Sequence, residues 1–168
     1  NKATPVAVAG GKAYASLTTV FSHTCGLEVG TGKAWCWGFN GYGQLGDGTT
    51  GNGGSAADKA TPVAVTGGKA FASLTAAGDY HTCGLEAGTG KAWCWGGNAW
   101  GQLGDGTTGN GSVGVPDKAA DKATPVAVAG GKAYASLMAG NVHTCGLEVG
   151  TGKAWCWGLN AYGQLGDG

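Results

Sequence analysis

The stretch His23–Gly38 reads HTCGLEVGTGKAWCWG; it returns as HTCGLEAGTGKAWCWG from His81 and as HTCGLEVGTGKAWCWG from His143. Each copy places two cysteines eleven positions apart, with two tryptophans flanking the second cysteine and a histidine two residues before the first. Two short runs of β-type residues separated by VGTG read as a hairpin, because glycine supplies the positive-φ positions that tight turns need. An even turn sets Cys25 opposite Cys36, and directly opposed residues carry Cβ atoms about 4.5–5.5 Å apart, within disulfide reach after small adjustment. The same pairing joins Cys83 to Cys94 and Cys145 to Cys156, which uses all six cysteines. Side-chain alternation then puts His23, Cys25 and Cys36 on one face of the hairpin and Trp35 and Trp37 on the other.

The alternatives to a disulfide are weaker. One His and two Cys per unit have the atoms for zinc, but lack a fourth ligand and a C-x-x-C knuckle. A redox centre lacks the helix N-terminus that lowers a thiol pKa. The tryptophans are expected to pack between neighbouring units, supplying apolar mass in a chain poor in large aliphatics. A carbohydrate-stacking platform is the sharper reading of the same residues. The histidines read as hydrogen-bonding residues at strand ends, since no hydroxyl nucleophile or paired carboxylate stands at a fixed spacing from them.

Working outward from the hairpin, the whole chain is three copies of one unit: Lys2–Gly48, Lys59–Gly106 and Lys122–Gly168. The first and third align without a gap over 47 positions and differ at seven of them. Each unit reads as four short strands, in the first copy Thr4–Ala9, Lys12–Leu17, His23–Glu28 and Lys33–Gly38, separated by glycine-rich turns. No segment has a helical period. Four strands per unit, repeated, predict an all-β fold of three four-stranded antiparallel blades of β-propeller type, as an open array or part of a larger propeller or filament. The expected divisions are 1–58, 59–121 and 122–168, each a blade with its joining segment.

Composition removes several function classes. The chain has 168 residues, 37 of them glycine, and ten Lys balance ten Asp and Glu, so the net charge is zero. There is no arginine, the residue best suited to bidentate recognition of phosphate and guanine, so neither nucleic acid nor an anionic membrane is an expected partner. No apolar run reaches the length of a membrane-spanning helix. With neither an initiator methionine nor a signal-peptide pattern, the chain reads as a mature, processed or partial product. Three disulfides predict an oxidising location: extracellular, cell-surface or periplasmic.

PVAV, the HTC strand, WCWG, Asn40 and GQLGDG together resemble the repeat of the regulator of chromosome condensation family, in a disulfide-containing, bacterial-type form. The resemblance covers nearly the whole chain apart from the joining segments TTGNGGSAAD and TTGNGSVGVPDKAAD. It implies four-stranded blades, usually seven in a ring, and three blades fall short of the four to eight that close one. Relatives of the repeat include exchange factors for a small GTPase and inhibitors of β-lactamase. The first role sits badly with disulfides and a neutral surface; the second suits a secreted chain.

Other chemistry is sparse. LGDGTTGNGG has the composition of a calcium loop, but one Asp falls short of an EF-hand or nonapeptide pattern. Asp47, Asp105 and Asp167 recur within an identical turn and read as backbone-bonding residues. Asn110-Gly-Ser is the one glycosylation sequon. No catalytic constellation, cofactor or metal site is expected.

Variation between copies falls in two segments that alternating strand directions bring to a single face. One precedes each histidine and holds Val20 and Phe21, Asp79 and Tyr80, and Asn141 and Val142 in the three copies. The other follows each WCWG and holds Phe39 and Tyr42, then Trp100, then Leu159 and Tyr162. Aromatic residues there suit a partner-binding surface, although drift at unconstrained positions explains the same pattern. Neither the first nor the third copy looks like a polar capping repeat, and uncapped β-units leave edges and apolar faces open to another chain. The expected function is a structural or adhesive repeat protein, not an enzyme, that assembles head to tail with copies of itself. The alternative is a propeller module binding another protein or a surface glycan.

Overall fold

The computed structural model describes residues 1–112, 116, 117 and 119–168; Val113, Gly114, Val115 and Lys118, in the second joining segment, lie outside the described residues. Among the described residues the three copies form eleven strands: β1 (Tyr14–Thr19), β2 (His23–Glu28), β3 (Ala34–Gly38), β4 (Lys59–Ala64), β5 (Phe71–Ala77), β6 (His81–Glu86), β7 (Ala92–Gly96), β8 (Lys122–Ala127), β9 (Tyr134–Ala139), β10 (His143–Glu148) and β11 (Ala154–Gly158). Neighbouring strands are antiparallel throughout. They make two four-stranded sheets, β1-β2-β3-β4 and β5-β6-β7-β8, and a three-stranded sheet, β9-β10-β11. The expected all-β array of propeller-type blades is what the chain forms.

The sheets do not coincide with the sequence copies. Thr4–Ala9, expected as the first strand of the first blade, is not a strand, and Val6 is 63% exposed. Lys59–Ala64, which opens the second copy, is instead the fourth strand of the first sheet, in register Trp35↔Ala64, Cys36↔Val63 and Gly38↔Lys59. Lys122–Ala127 completes the second sheet in the same register, with Trp93↔Ala127 and Cys94↔Val126. The breaks between sheets therefore fall after residues 64 and 127 rather than at 58 and 121. Pro62 and Pro125 sit in these outermost strands, the position in a sheet where a residue without an N–H is tolerated and where it blunts the edge.

The hairpins pair as their sequence dictates, with Cys25↔Cys36, Cys83↔Cys94 and Cys145↔Cys156 directly opposed. All three pairs are disulfides, with Cα atoms 4.1 Å apart, and no cysteine is free. Closing each loop of about a dozen residues stabilises its hairpin by roughly 2–3 kcal/mol. Within each hairpin a mid-strand glycine makes room for an aromatic ring. A Cβ on Gly84 would stand 2.6 Å from the Phe71 ring, and Gly26 and Gly146 relate to Tyr14 and Tyr134 in the same way.

Candidate functional site

Each blade has two unlike faces, and the blades stack unlike face to unlike face. On the disulfide face of the first sheet, Cys25 and Cys36 pack with Leu45, Val63, Val65 and, from the next sheet, Leu74. Beside them Leu27 and Ala34 meet Phe71 and Trp95 of the second sheet, with Trp93 flanking. The second and third sheets repeat the arrangement with Cys83, Cys94 and Leu103 against Leu137, and Leu85 and Ala92 against Tyr134 and Trp157. Trp95 and Trp157, the second tryptophans of the WCWG motif in the second and third copies, thus pack between blades as expected, Trp95 wholly buried. The first tryptophan lies nearer the surface, with Lys12, Lys69 and Lys132 over the rings of Trp35, Trp93 and Trp155 at 3.6, 3.5 and 3.8 Å. These lysines also pair with Glu28, Glu86 and Glu148. The Thr31 hydroxyl and then Lys12 hold the Glu28 carboxyl below its usual range.

Polar groups fix the angle at which one blade meets the next. The Gln44 carbonyl accepts hydrogen bonds from the Thr82 hydroxyl and from the Trp95 indole N–H, both at 2.9 Å. The Gln102 carbonyl accepts from Thr144 at 2.9 Å and from Trp157 at 3.0 Å. His23 Nε2 lies 2.9 Å from the Thr82 hydroxyl, and His81 Nε2 lies 2.9 Å from that of Thr144. Since each threonine proton is committed to a glutamine carbonyl, the histidine is the donor, so its neutral ring carries the proton on Nε2. Among the described residues, Nδ1 of both rings is buried without a partner. Burial, partly offset by Asp79, pushes the His23 pKa down to about 4; burial, with His23 and His143 adding to it, pushes that of His81 down to about 3. His23 and His81 thus connect each blade to the next.

Gln44 and Gln102 were not singled out in the sequence. Gln44 is fully buried, its Oε1 accepting from the Tyr42 amide at 2.9 Å and its Nε2 donating to the Asp79 carbonyl at 2.7 Å. The available signal was the recurrence of Gln44, Gln102 and Gln164 in an otherwise glycine-rich turn. Asn40 orders the same turn: its Nδ2 donates to Asp47 and Thr49, and its Oδ1 accepts from the Leu45 amide. Asp47 Oδ1 accepts from the Thr49 amide at 3.0 Å and hydroxyl at 2.6 Å, and Oδ2 lies 3.5 Å from Lys59. Burial works against the charged form, but Thr49, Lys59 and Asn40 together hold this carboxyl below its usual range. The aspartates of the first two copies are therefore engaged in local bonding. Among the described residues, no group of three or more His, Cys, Asp or Glu is placed to hold a metal ion.

The two variable segments of a copy adjoin, and their candidate residues divide by exposure. The Phe39 amide donates to the Ser22 carbonyl, and the Leu159 amide to the Val142 carbonyl, so the two variable segments of a copy lie side by side. Phe21 and Tyr162 are free, at 97% and 91% exposure, and Asn141 is exposed. Val20, Phe39, Asp79, Tyr80, Trp100 and Leu159 are half-buried, whereas Tyr42 and Val142 are buried. The Tyr42 ring stands 5.3 Å from that of Tyr80 and 6.0 Å from that of Phe39. These rings form an aromatic ridge across the boundary between the first two copies.

Among the described residues nothing covers the two end faces of the array. On the third sheet Leu147 is 46% exposed, where its counterparts Leu27 and Leu85 are 4% exposed. A hollow lined by Met138, Cys145, Leu147 and Ala154 opens there. On the first sheet Leu17 is 58% exposed, while Leu74 and Leu137 are half-buried between blades.

Comparison with known proteins gives a consistent family. Residues 31–85 match one model of the Regulator of chromosome condensation (RCC1) repeat, and residues 73–102 and 136–164 match a second model of that repeat. The fold is similar to that of human WBSCR16 (TM-score 0.70, 18% identity, 89% of this chain and 34% of that one). It is similar to Saccharomyces cerevisiae Prp20p, a protein studied for its binding to Gsp1p and histones (TM-score 0.68, 20% identity, 88% of this chain and 33% of that one). The ectodomain of the Physcomitrella patens receptor kinase CR4 is also similar (TM-score 0.55, 23% identity, 91% and 32%). This chain spans about a third of the length of each.

Proposed function

Because this chain belongs to the regulator of chromosome condensation repeat family, we propose that it is a non-enzymatic propeller-repeat scaffold that assembles head to tail with copies of itself. Its setting is extracellular or otherwise oxidising, where the three disulfides persist. Its role is structural or adhesive, with Phe21, Tyr162 and their neighbours on the loop face making contacts to other proteins or surface glycans.

The observation that supports this most strongly is the match between the uncovered ends and the two internal joints. The third sheet offers Leu147, Cys145 and Cys156, and the first offers Tyr14, Leu17 and Trp37. These are the same residue types, in the same strands, that meet between the sheets within the chain, except that Phe71 takes the tyrosine position in the second copy. A surface of one molecule that complements a different surface of the next generates rings or open filaments.

Sedimentation velocity over a concentration series tests this reading. The expected result is concentration-dependent growth beyond 16.4 kDa, lost in Leu147→Asp, whose side chain is too exposed in the free chain for folding to depend on it. A monomer at every concentration would overturn it.

A further inference from the structure

Where the turn after the first WCWG meets the second joining segment, Tyr42, Thr50, Asn52, Pro116, Asp121 and Ala123 line a recess of about 280 Å³. Two close approaches hold its walls together. The Gly48 amide donates to the Ala123 carbonyl at 2.9 Å. Gly53 lies so near Pro116 that a Cβ there would stand 2.7 Å from the proline ring. Tyr42 is held in turn by its edge-on packing against Tyr80.

The polar groups of the recess are fixed in place and keep bonding capacity. Asp121 Oδ1 accepts from the Asn98 amide at 2.8 Å and Oδ2 from the Asp117 amide at 2.9 Å, and each oxygen has a further lone pair. Burial nonetheless holds this carboxyl above its usual range, so an added donor relieves a cost already present. The Thr50 hydroxyl donates to the Gly41 carbonyl and accepts from the Asn52 amide, which leaves it one acceptor site. Asn52 has φ +53°, a left-handed conformation that asparagine tolerates. Among the described residues its side chain and the Tyr42 hydroxyl bond nothing. In the second copy the matching groups are spent. Trp100 replaces Tyr42 and lays its ring over Gly111, and Asn110 Oδ1 accepts from the Ser112 amide at 3.0 Å.

Resting on the loop-face contacts of the proposed function, we propose that this recess binds one neutral sugar ring of a surface glycan. The chemistry selects that class. An anion finds no cationic side chain among the described lining residues. An apolar ligand would cover Asp121 and leave its spare lone pairs without a donor. A sugar hydroxyl both donates and accepts, so neighbouring hydroxyls donate to Asp121 and Thr50 and accept from the Asn52 side-chain amide and the Tyr42 hydroxyl. The C–H face of the ring covers Pro116 and Ala123. A recess of this size holds one ring, and Asn52 stands exposed at its mouth, where a longer glycan continues outward.

Titration of the isotope-labelled full chain, followed by amide and indole NMR shifts, tests the proposal. The probes are methyl glucoside, methyl galactoside, methyl mannoside and N-acetylglucosamine. The expected result is that at least one moves the amides of Thr50, Asn52 and Asp121 together, with a Kd on the order of 1–10 mM. Asn52→Gly keeps the left-handed backbone and removes the side-chain amide; Tyr42→Phe keeps the ring on Tyr80 and removes the hydroxyl. Each should weaken binding about fivefold. No shift with any of the four sugars overturns the proposal, as does binding undiminished in both variants. Shifts at the Trp35, Trp93 and Trp155 indoles with the recess unmoved place the sugar on the tryptophans and overturn it too. Sedimentation of the same samples separates this from assembly: sugar binding by a chain that stays monomeric upholds the recess alone, and association without sugar binding overturns the recess alone.

Discussion

His23 and His81 show how a single residue can couple blade packing to pH. Both are buried, both donate through Nε2, and among the described residues neither has an acceptor for a second ring proton. In the unfolded chain a histidine takes up its proton near pH 6.5. Folded, His23 resists until about pH 4 and His81 until about pH 3. Their contribution is complete above pH 6.5 and is lost as pH falls from there toward 4, because only the unfolded state then binds the proton. For His23 the loss by pH 4 is on the order of 3 kcal/mol. Urea denaturation between pH 7.5 and 4.5 should show this decline, and His81→Gln, which cannot titrate, should show a shallower one; equal slopes would contradict it. The histidine and cysteine positions were legible in the sequence because they recur three times. The role of Gln44 was not, since its main-chain carbonyl does half the bonding and a carbonyl leaves no mark in a residue pattern.

At the scale of the element, the hairpin was readable and the sheet was not. An even turn between two β-type runs sets Cys25 opposite Cys36, the same pairing in each copy uses all six cysteines, and alternation settles which side chains share a face. A tandem repeat, however, specifies a period without a phase. KATPVA is the same string whether it opens its own blade or closes the preceding one, and only the pairing of Val63 with Cys36 decides. The turn after WCWG carries a further constraint that sequence alone conceals. Gly46 has φ +70°, and a Cβ there would stand 2.7 Å from the Trp95 indole nitrogen. Gly46→Ala is therefore expected to lower stability by about 3 kcal/mol, through left-handed strain and displacement of the tryptophan from the Gln44 carbonyl. Thermal denaturation measures the loss, and an unchanged midpoint would show that the blade joint tolerates movement.

For the whole molecule, near-identical copies make the joint between the first two sheets and the joint between the second and third out of the same residue types. The loop rim varies while the joints do not, and the proposed function assigns contacts to the rim and assembly to the joints. The separation is incomplete, because a loop residue can serve the joint: Tyr42 is buried against Tyr80, while Phe21 is free. Exposure of that kind depends on which neighbouring loop comes to rest there, and no pattern within one copy reports it. Tyr42→Ser should lower stability by about 2 kcal/mol, and Phe21→Ser should leave it within about 0.5 kcal/mol; equal effects in denaturation would blur the division between rim and joint. The central claim is that molecules continue one another's blade array. Electron microscopy of the concentrated protein tests it most directly. The account predicts rings or filaments in which blades follow at one uniform spacing across molecular boundaries, and separate three-bladed particles at every concentration would contradict it.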